Sequence, residues 1–411
     1  MTDPTPVRAH WLTAERLTVY PRIFLAVFIL AAVIWVLNSH EMIDPKGKPL
    51  GYDFMAFWGA SSLMLQGDPA AAYDLGRIVA AEKVGVPALI SPHPWFYPPM
   101  FGLVVLPLAL LPYGWSLVLW LAVTLPGFIA ILRRIAPAPQ TAWLTLAFPG
   151  TYVNAIHGQN GFLVATLFGG AMLTLERRPV LAGILIGLLS FKPHFGLLIP
   201  LALICGRHWT AFFAATLTTI AFALASTAVL GVDSWTAFVG SMPMVADLLE
   251  EPDNLNWSNM PSAFASLRLL GVAIPIAYAA QATLALIAAA GVAWTWWRRA
   301  SPPLAAAVLV SGSLLVSPYL FDYDTPLLAV AIALLAWDGH RNGWQWGERE
   351  ILVAAWLMPV VATVVATATG LPLGIMCLVA VFAQSLRRVA SARGTADSVR
   401  VSSSPDPAPS R

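Results

Sequence analysis

Pairs of arginines at 133 and 134, 177 and 178, 298 and 299, and 387 and 388 punctuate a chain whose intervening stretches are almost wholly apolar. This alternation constrains the fold more than any motif does. Repeated apolar runs parted by basic clusters fit a chain that threads a bilayer many times, with Lys and Arg kept on the cytoplasmic side. Hydrophobic residues make up 58% and charged residues only 11%, whereas charged residues are about a quarter of an ordinary soluble domain. With a mean hydropathy of +0.72, the chain is expected to be an all-α polytopic membrane protein. Its 411 residues leave room for about 10–13 transmembrane helices of roughly 20 residues each. Membrane lipids are therefore expected partners; nucleic acid is not. Cys205 and Cys377 both lie in apolar segments and suggest no disulfide framework.

Arg8, Arg16 and Arg22 precede or open the first apolar run, 23–37, and place the N-terminus inside. That run lacks a small-x-small cleavage site and is read as an uncleaved anchor. Residues 38–98 form a first external loop with two amphipathic pieces, expected to lie flat on the membrane. Apolar segments follow at 99–111 and 114–132. If Arg133 and Arg134 are inside and His157 outside, the stretch 99–132 must cross an odd number of times, so one segment is a half-crossing or the arginines are outside. Further segments run over 141–156, 161–175, 180–191, 193–206 and 209–230. Residues 231–258 form a second external loop with Asp233, Asp247, Glu250, Glu251 and Asp253 and no basic residue. Segments 272–297, 303–316, 325–337 and two final spans complete an integral-membrane domain over 1–389. The Ser- and Pro-rich tail, 390–411, is expected to be disordered and cytoplasmic.

Charges near span ends that share one compartment are candidate functional groups, because charge inside a membrane is costly. Asp53 opens the segment FMAFWGASSLML. Either it caps that helix, or its carboxylate takes a proton from an attacking sugar hydroxyl. In HGQN, Gly158 and the amides make a tight turn, or Gln159 and Asn160 hold hydroxyls, which need paired donors and acceptors. Lys192 follows a long apolar run: it snorkels to the interface, or it meets a lipid-borne phosphate. Asn256 and Asn259 cap and turn, or face the site, and Arg268 offers a guanidinium for phosphate. Asp322 and Asp324 suggest metal ligation only weakly, and the histidine spacings match no zinc pattern.

GYDFMAFWGASSLMLQG, then FYPP at 96–99, HGQN at 157–160, FKPH at 191–194, two asparagines ahead of Arg268, and SPYLFDYD at 317–324 together resemble glycosyltransferase family 87, of the GT-C superfamily. The resemblance extends over about residues 20–340 and rests on order and spacing. It implies a polyprenyl-phosphate sugar donor, mannose in the family's α-mannosyltransferases, a lipid-linked or glycan acceptor, and Asp53 as catalytic base. Lys192, His194 and Arg268 would bind the donor phosphate; Tyr97, His157, Gln159, Asn160, Asn256, Asn259, Asp322 and Asp324 would bind sugar or acceptor. The family's lysine and proline are parted by one residue, whereas here Lys192 and Pro193 adjoin. No cofactor and no metal are expected. The site is expected on the periplasmic face of a bacterial inner membrane. The competing expectation is a secondary transporter or lipid flippase, but such proteins carry internal repeats and midplane sites. Here the halves share no repeat, and the polar islands gather at one face.

Overall fold

The computed structural model describes residues 10–250 and 256–402, and among these the regular structure is helical, with isolated bridges but no strand. Arg8, Glu251 and Asp253 therefore lie outside the described residues. Helix α1 is Arg16–Leu37, with Pro21 its one buried residue, as expected of a span that faces lipid. The first loop carries α2 (Phe54–Leu65) and α3 (Leu75–Gly85). After it come α4 (Pro99–Val105), α5 (Tyr113–Ile135), α6 (Thr141–Leu146), α7 (Pro149–His157), α8 (Gly161–Thr174) and α9 (Pro179–Leu188). The second half comprises α10 (Pro193–Gly196), α11 (Ile199–Gly206), α12 (Trp209–Leu230), α13 (Val232–Glu250), α14 (Ala263–Leu269) and α15 (Ile274–Trp297). It closes with α16 (Pro302–Val316), α17 (Pro326–Asn342), α18 (Glu348–Thr369) and α19 (Leu373–Ser402). Among the described residues, six helices are long and apolar enough to cross a membrane: α1, α5, α12, α15, α18 and the first part of α19. The chain is thus an all-α polytopic membrane protein.

Proline sets many of the shorter segments. Pro99, Pro149, Pro179, Pro193, Pro302 and Pro326 each stand at the start of a helix. There the missing N–H costs nothing and φ is already helical. The same residue cannot extend the helix before it. The chain therefore breaks just ahead of these prolines, and two of the breaks bring Lys192 and Asp324 into the interior.

Four expectations change. Helix α2 does not lie on a surface: ten of its residues, from Phe54 to Met64, are buried. It carries no charge inside its span, so it has no face to give to water, and a helix apolar all round is buried. Phe57 packs edge-on against Trp95, Tyr97, Phe101 and Trp120. Helix α3 does present one face, burying Ile78, Ala81 and Glu82. Second, the segment 99–111 is not one continuous helix: α4 and the short turn Leu108–Leu110 divide it, whereas α5 is long and apolar enough to cross a membrane. The broken backbone is satisfied by α2: Trp58 Nε1 donates to Leu111 O (2.9 Å), Ser61 Oγ donates to Leu106 O (2.8 Å), and Ala109 N donates to Ser61 Oγ (2.9 Å). Third, the second loop is largely helical, as α13. Fourth, α19 continues to Ser402, so the tail expected from 390 begins within a helix; residues 403–411 lie outside the described residues.

The helix ends sort into two faces. On one, Tyr113 donates to Leu50 O and the turns at 157–160, 192 and 322–324 meet residues of the first loop or one another. On the other, Arg388 reaches from α19 to the end of α17 and the start of α18. Its Nε and Nη2 donate to Glu348 (both 2.8 Å), Nη2 also to Gly343 O (2.6 Å), and Nη1 pairs with Asp338. The first described residues join this second face, where His10 and Trp11 contact Glu350 (2.8 and 3.2 Å).

Candidate active site

Two successive residues in the left-handed region, Gly51 (φ +85°) and Tyr52 (φ +34°), turn the chain into α2 and aim Asp53 inward. That conformation is costly for a bulky residue. Asp44 holds it: Asp44 Oδ2 accepts from Tyr52 Oη (3.0 Å) and from Trp35 Nε1 (3.2 Å), while Asp44 Oδ1 accepts from the Lys46 and Lys48 amides. Asp53 is itself helical and its side chain caps nothing. Its Oδ2 lies 3.3 Å from His157 Nδ1 and accepts from Gln159 Nε2 at 3.2 Å. The carboxylate stays 34% exposed and the imidazole 19%, so the pair is sheltered yet reachable.

Gly158 makes that approach possible. It ends α7 in the left-handed conformation (φ +57°), and a Cβ there would stand 2.5 Å from Phe54 Cβ and 3.2 Å from Gly51 O. The tight turn and the binding group expected of HGQN are therefore the same structure. Tyr52 and Tyr323 pack their rings on His157 at 5.0 and 5.3 Å. Burial works to raise the Asp53 carboxyl, but the hydrogen bond and charge of His157, the charge of His93 and the Gln159 amide outweigh it and hold it below the usual carboxylate value. Burial likewise works to lower His157, yet the hydrogen bond and charge of Asp53 hold it above the usual imidazole value.

A continuous run of hydrogen bonds leads from Asp53 to the opposite wall. Gln159 Oε1 accepts from Tyr97 Oη (3.0 Å) and from Asn160 N (3.2 Å). Lys192 Nζ donates to Asn160 Oδ1 (2.9 Å) and to Asp324 Oδ1 (2.5 Å). Asp324 Oδ2 in turn accepts from Phe321 N (3.2 Å), and Asn154 Nδ2 donates to Tyr323 O (2.8 Å), which ties α7 to the turn before α17. Lys192 does not snorkel. It is 5% exposed and its partner Asp324 2%, because a buried ammonium is tolerable only beside a counter-charge with its other protons satisfied. The aromatic rings of Phe195 and Tyr323 flank it at 5.4 and 5.7 Å.

Other expected site residues stand apart from this run. His194 packs on Phe195 with its Nε2 buried and unpartnered. Arg268 Nη1 donates to Val272 O (2.7 Å), and its guanidinium lies 4.8 Å from the Trp257 ring centroid. Asn256 and Asn259 bond to one another (3.3 Å), and Asn256 accepts from Ser258 N (3.2 Å), which is the capping arrangement. Asp322 is 6% exposed. Its Oδ2 accepts from Thr363 Oγ1 (3.3 Å) while Oδ1 has no partner, and burial pushes the carboxyl up to about 6. Among the described residues no group of three or more His, Cys, Asp or Glu is placed to hold a metal ion.

Sequence reasoning missed Asp44 and Tyr52, which set the turn ahead of Asp53, and Asn154, which anchors the opposite wall. It also missed Glu82, fully buried on α3 with its Oε2 accepting from His93 N (3.3 Å) and its carboxyl pushed up by burial to about 8. A buried glutamate on an otherwise half-exposed helix leaves no periodic signal. Asp44, nine residues before Asp53 and ringed by turn-forming residues, was readable as an Asx turn.

A model of glycosyltransferase family 87 matches residues 95–318. The matched stretch contains Tyr97, the HGQN turn, Lys192, His194 and Arg268, whereas Asp53, Asp322 and Asp324 lie outside it. No curated protein and no solved structure matches the chain. With that family's model covering more than half of its length, the chain belongs to glycosyltransferase family 87 and is a membrane glycosyltransferase.

Proposed function

We propose that the protein transfers a sugar, mannose, from a polyprenyl-phosphate donor to a lipid-linked or glycan acceptor on the periplasmic face of a bacterial inner membrane, with Asp53 as general base. The observation that carries this reading is the Asp53 carboxylate: ionised, oriented by His157 and Gln159, partly exposed, and bordered by a wall of hydroxyl and amide groups. Asp53 takes the proton from an acceptor hydroxyl as that oxygen attacks the anomeric carbon. The bond from that carbon to the phosphate oxygen breaks, and the polyprenyl phosphate departs with the electron pair. A single displacement inverts the anomeric centre, so a β-linked donor gives an α-linked product. No acid is needed at the leaving group, since a phosphate monoester carries its own charge.

Lys192 has three donors, and Asn160 and Asp324 take two, so one remains for a donor phosphate oxygen. The adjoining His194 and the guanidinium of Arg268 are the further phosphate-binding groups in this reading. Tyr97, Gln159, Asn160, Asp322 and Asp324, with Asn256 and Asn259 at the end of the second loop, would meet sugar hydroxyls. The test is donor choice with purified protein in liposomes. Radiolabel is expected to pass to the acceptor from polyprenyl-phosphate mannose and not from GDP-mannose; transfer from the nucleotide sugar alone would contradict it.

A further inference from the structure

Three turns at helix ends remote from Asp53 meet around one histidine. Helix α8 leads away from Asn160 and α9 leads back toward Lys192, so the turn between them lies on the face opposite the site. His208, in the turn between α11 and α12, has its Nε2 3.8 Å from Glu176 Oε1 in that α8–α9 turn, and its ring centroid 5.6 Å from that of Trp296 near the end of α15. A Cβ on Gly206 would stand 2.7 Å from His208 Cδ2 and 2.8 Å from Trp296 Cε3, so glycine is what lets the turns close up. Trp296 Nε1 donates to Ala305 O (3.1 Å) and fastens α16 to the group. Arg177 and Arg178 follow Glu176, Arg207 precedes His208, and Arg298 and Arg299 follow Trp297. All five arginines are exposed. Trp209 and Trp297, 47% and 70% exposed, stand beside them on α12 and α15, two of the helices able to cross a membrane. Tryptophan at the end of a span sits at headgroup level, which puts the neighbouring arginines at the depth of lipid phosphates.

Five arginines against one glutamate leave these turns with a charge of +4 before His208 is counted. Helix dipoles do not offset it: α8, α11 and α15 finish here with about −0.5 each, while α9, α12 and α16 start here with about +0.5 each. The Arg388 cluster differs, since Asp338 and Glu348 take its charge. Arg207 and Arg299 are left-handed (φ +61° and +52°), where glycine would be cheaper, yet the chain keeps a guanidinium at both. From this arrangement we propose that the three turns form a docking surface for the headgroup of an anionic phospholipid in the leaflet away from Asp53. Guanidinium groups take phosphate oxygens through paired hydrogen bonds, and basic groups gathered between spanning helices suit a phosphodiester that carries no cation of its own. A zwitterionic headgroup is disfavoured, because its ammonium adds to the positive charge already there. The lipid ties the α8–α9, α11–α12 and α15–α16 turns together from outside, as His208 does from within. The inference goes beyond the transferase reading and does not depend on it.

The test is native mass spectrometry of the full chain in dodecyl maltoside, titrated with dioleoyl phosphatidylglycerol and, separately, with dioleoyl phosphatidylcholine. The first phosphatidylglycerol is expected to bind at least about tenfold more tightly than phosphatidylcholine, the scale of a few arginine contacts to an anionic headgroup. Arg207→Gln combined with Arg299→Gln is expected to abolish that preference. Arg177→Gln combined with Arg178→Gln, on the neighbouring turn, is expected to do the same, so a folding defect in one pair leaves the other to decide; wild-type thermal unfolding in phosphatidylcholine nanodiscs shows which pairs are folded. Arg16→Gln combined with Arg341→Gln, which takes equal charge from elsewhere on this face, is expected to keep the wild-type preference. Absence of the preference in wild type, its survival in a folded variant of either turn, its equal loss in the Arg16 and Arg341 pair, or displacement of the lipid by excess inorganic phosphate would overturn the proposal.

Discussion

Asp53 and Lys192 are each held by a titratable partner from a distant part of the chain, His157 and Asp324 respectively, and these pairings define how the site responds to pH and mutation. The Asp53 carboxyl is depressed and the His157 imidazole raised. The first contributes stability above the unfolded carboxyl value of about 4, lost as pH falls through the lower folded value; the second contributes below the unfolded imidazole value of about 6.5, lost as pH rises through the higher folded one. The difference in Tm between wild type and His157→Gln is therefore expected to be largest between about pH 4 and 6.5 and to shrink toward pH 9. A constant difference over that range would contradict the pairing. Lys192→Met leaves Asp324 buried without a counter-charge and is expected to destabilise the protein by about 3–5 kcal/mol, with much of that recovered when Asp324→Leu is added, as thermal unfolding would record. Tolerance of the single variant would restore the snorkelling picture. The candidates Asp53, His157, Gln159, Asn160, Lys192 and Asp324 were all legible as polar islands in an apolar chain. Their pairings were not, because the partners lie 32 to 132 residues apart in sequence, and local pattern carries no information at that range.

Among the elements, proline breaks and the buried α2 do most to shape the site. The long apolar spans were readable from hydropathy, whereas the break within 99–111 was not, because it depends on packing. Trp58 and Ser61 satisfy the broken backbone there, and only a buried α2 can do that. The arginine pairs were read as topological signals alone, yet Arg388 closes an ion cluster with Asp338 and Glu348, which are 9% and 0% exposed. It joins α17, α18 and α19 roughly 20 Å along α17 from Asp324. Arg388→Met is expected to cost about 3–5 kcal/mol, since it strands two buried acids. Arg387→Met, at a guanidinium 41% exposed, is expected to shift Tm little. Equal effects of the two would show the cluster to be unimportant to the bundle.

At the scale of the molecule, the catalytic candidates occupy one face and the Arg388 cluster the other, which is the arrangement a transferase needs if donor and acceptor meet outside the cell. In a background without Cys205 and Cys377, Lys46→Cys is expected to react with an impermeant maleimide in intact spheroplasts, whereas Arg341→Cys reacts only after permeabilisation. The reverse pattern would put the site in the cytoplasm. The polar islands were legible from charge, while the depth of α2 required the three-dimensional packing of segments that carry no charge at all. The account turns on Asp53 as the base, and Asp53→Asn tests it most directly, since the amide keeps the size and one acceptor oxygen for Gln159 but cannot take a proton. With radiolabelled polyprenyl-phosphate mannose, this variant is expected to retain its fold and thermal unfolding and to transfer at least about a thousandfold more slowly, the span of a lost general base. Transfer within about tenfold of wild type would contradict it.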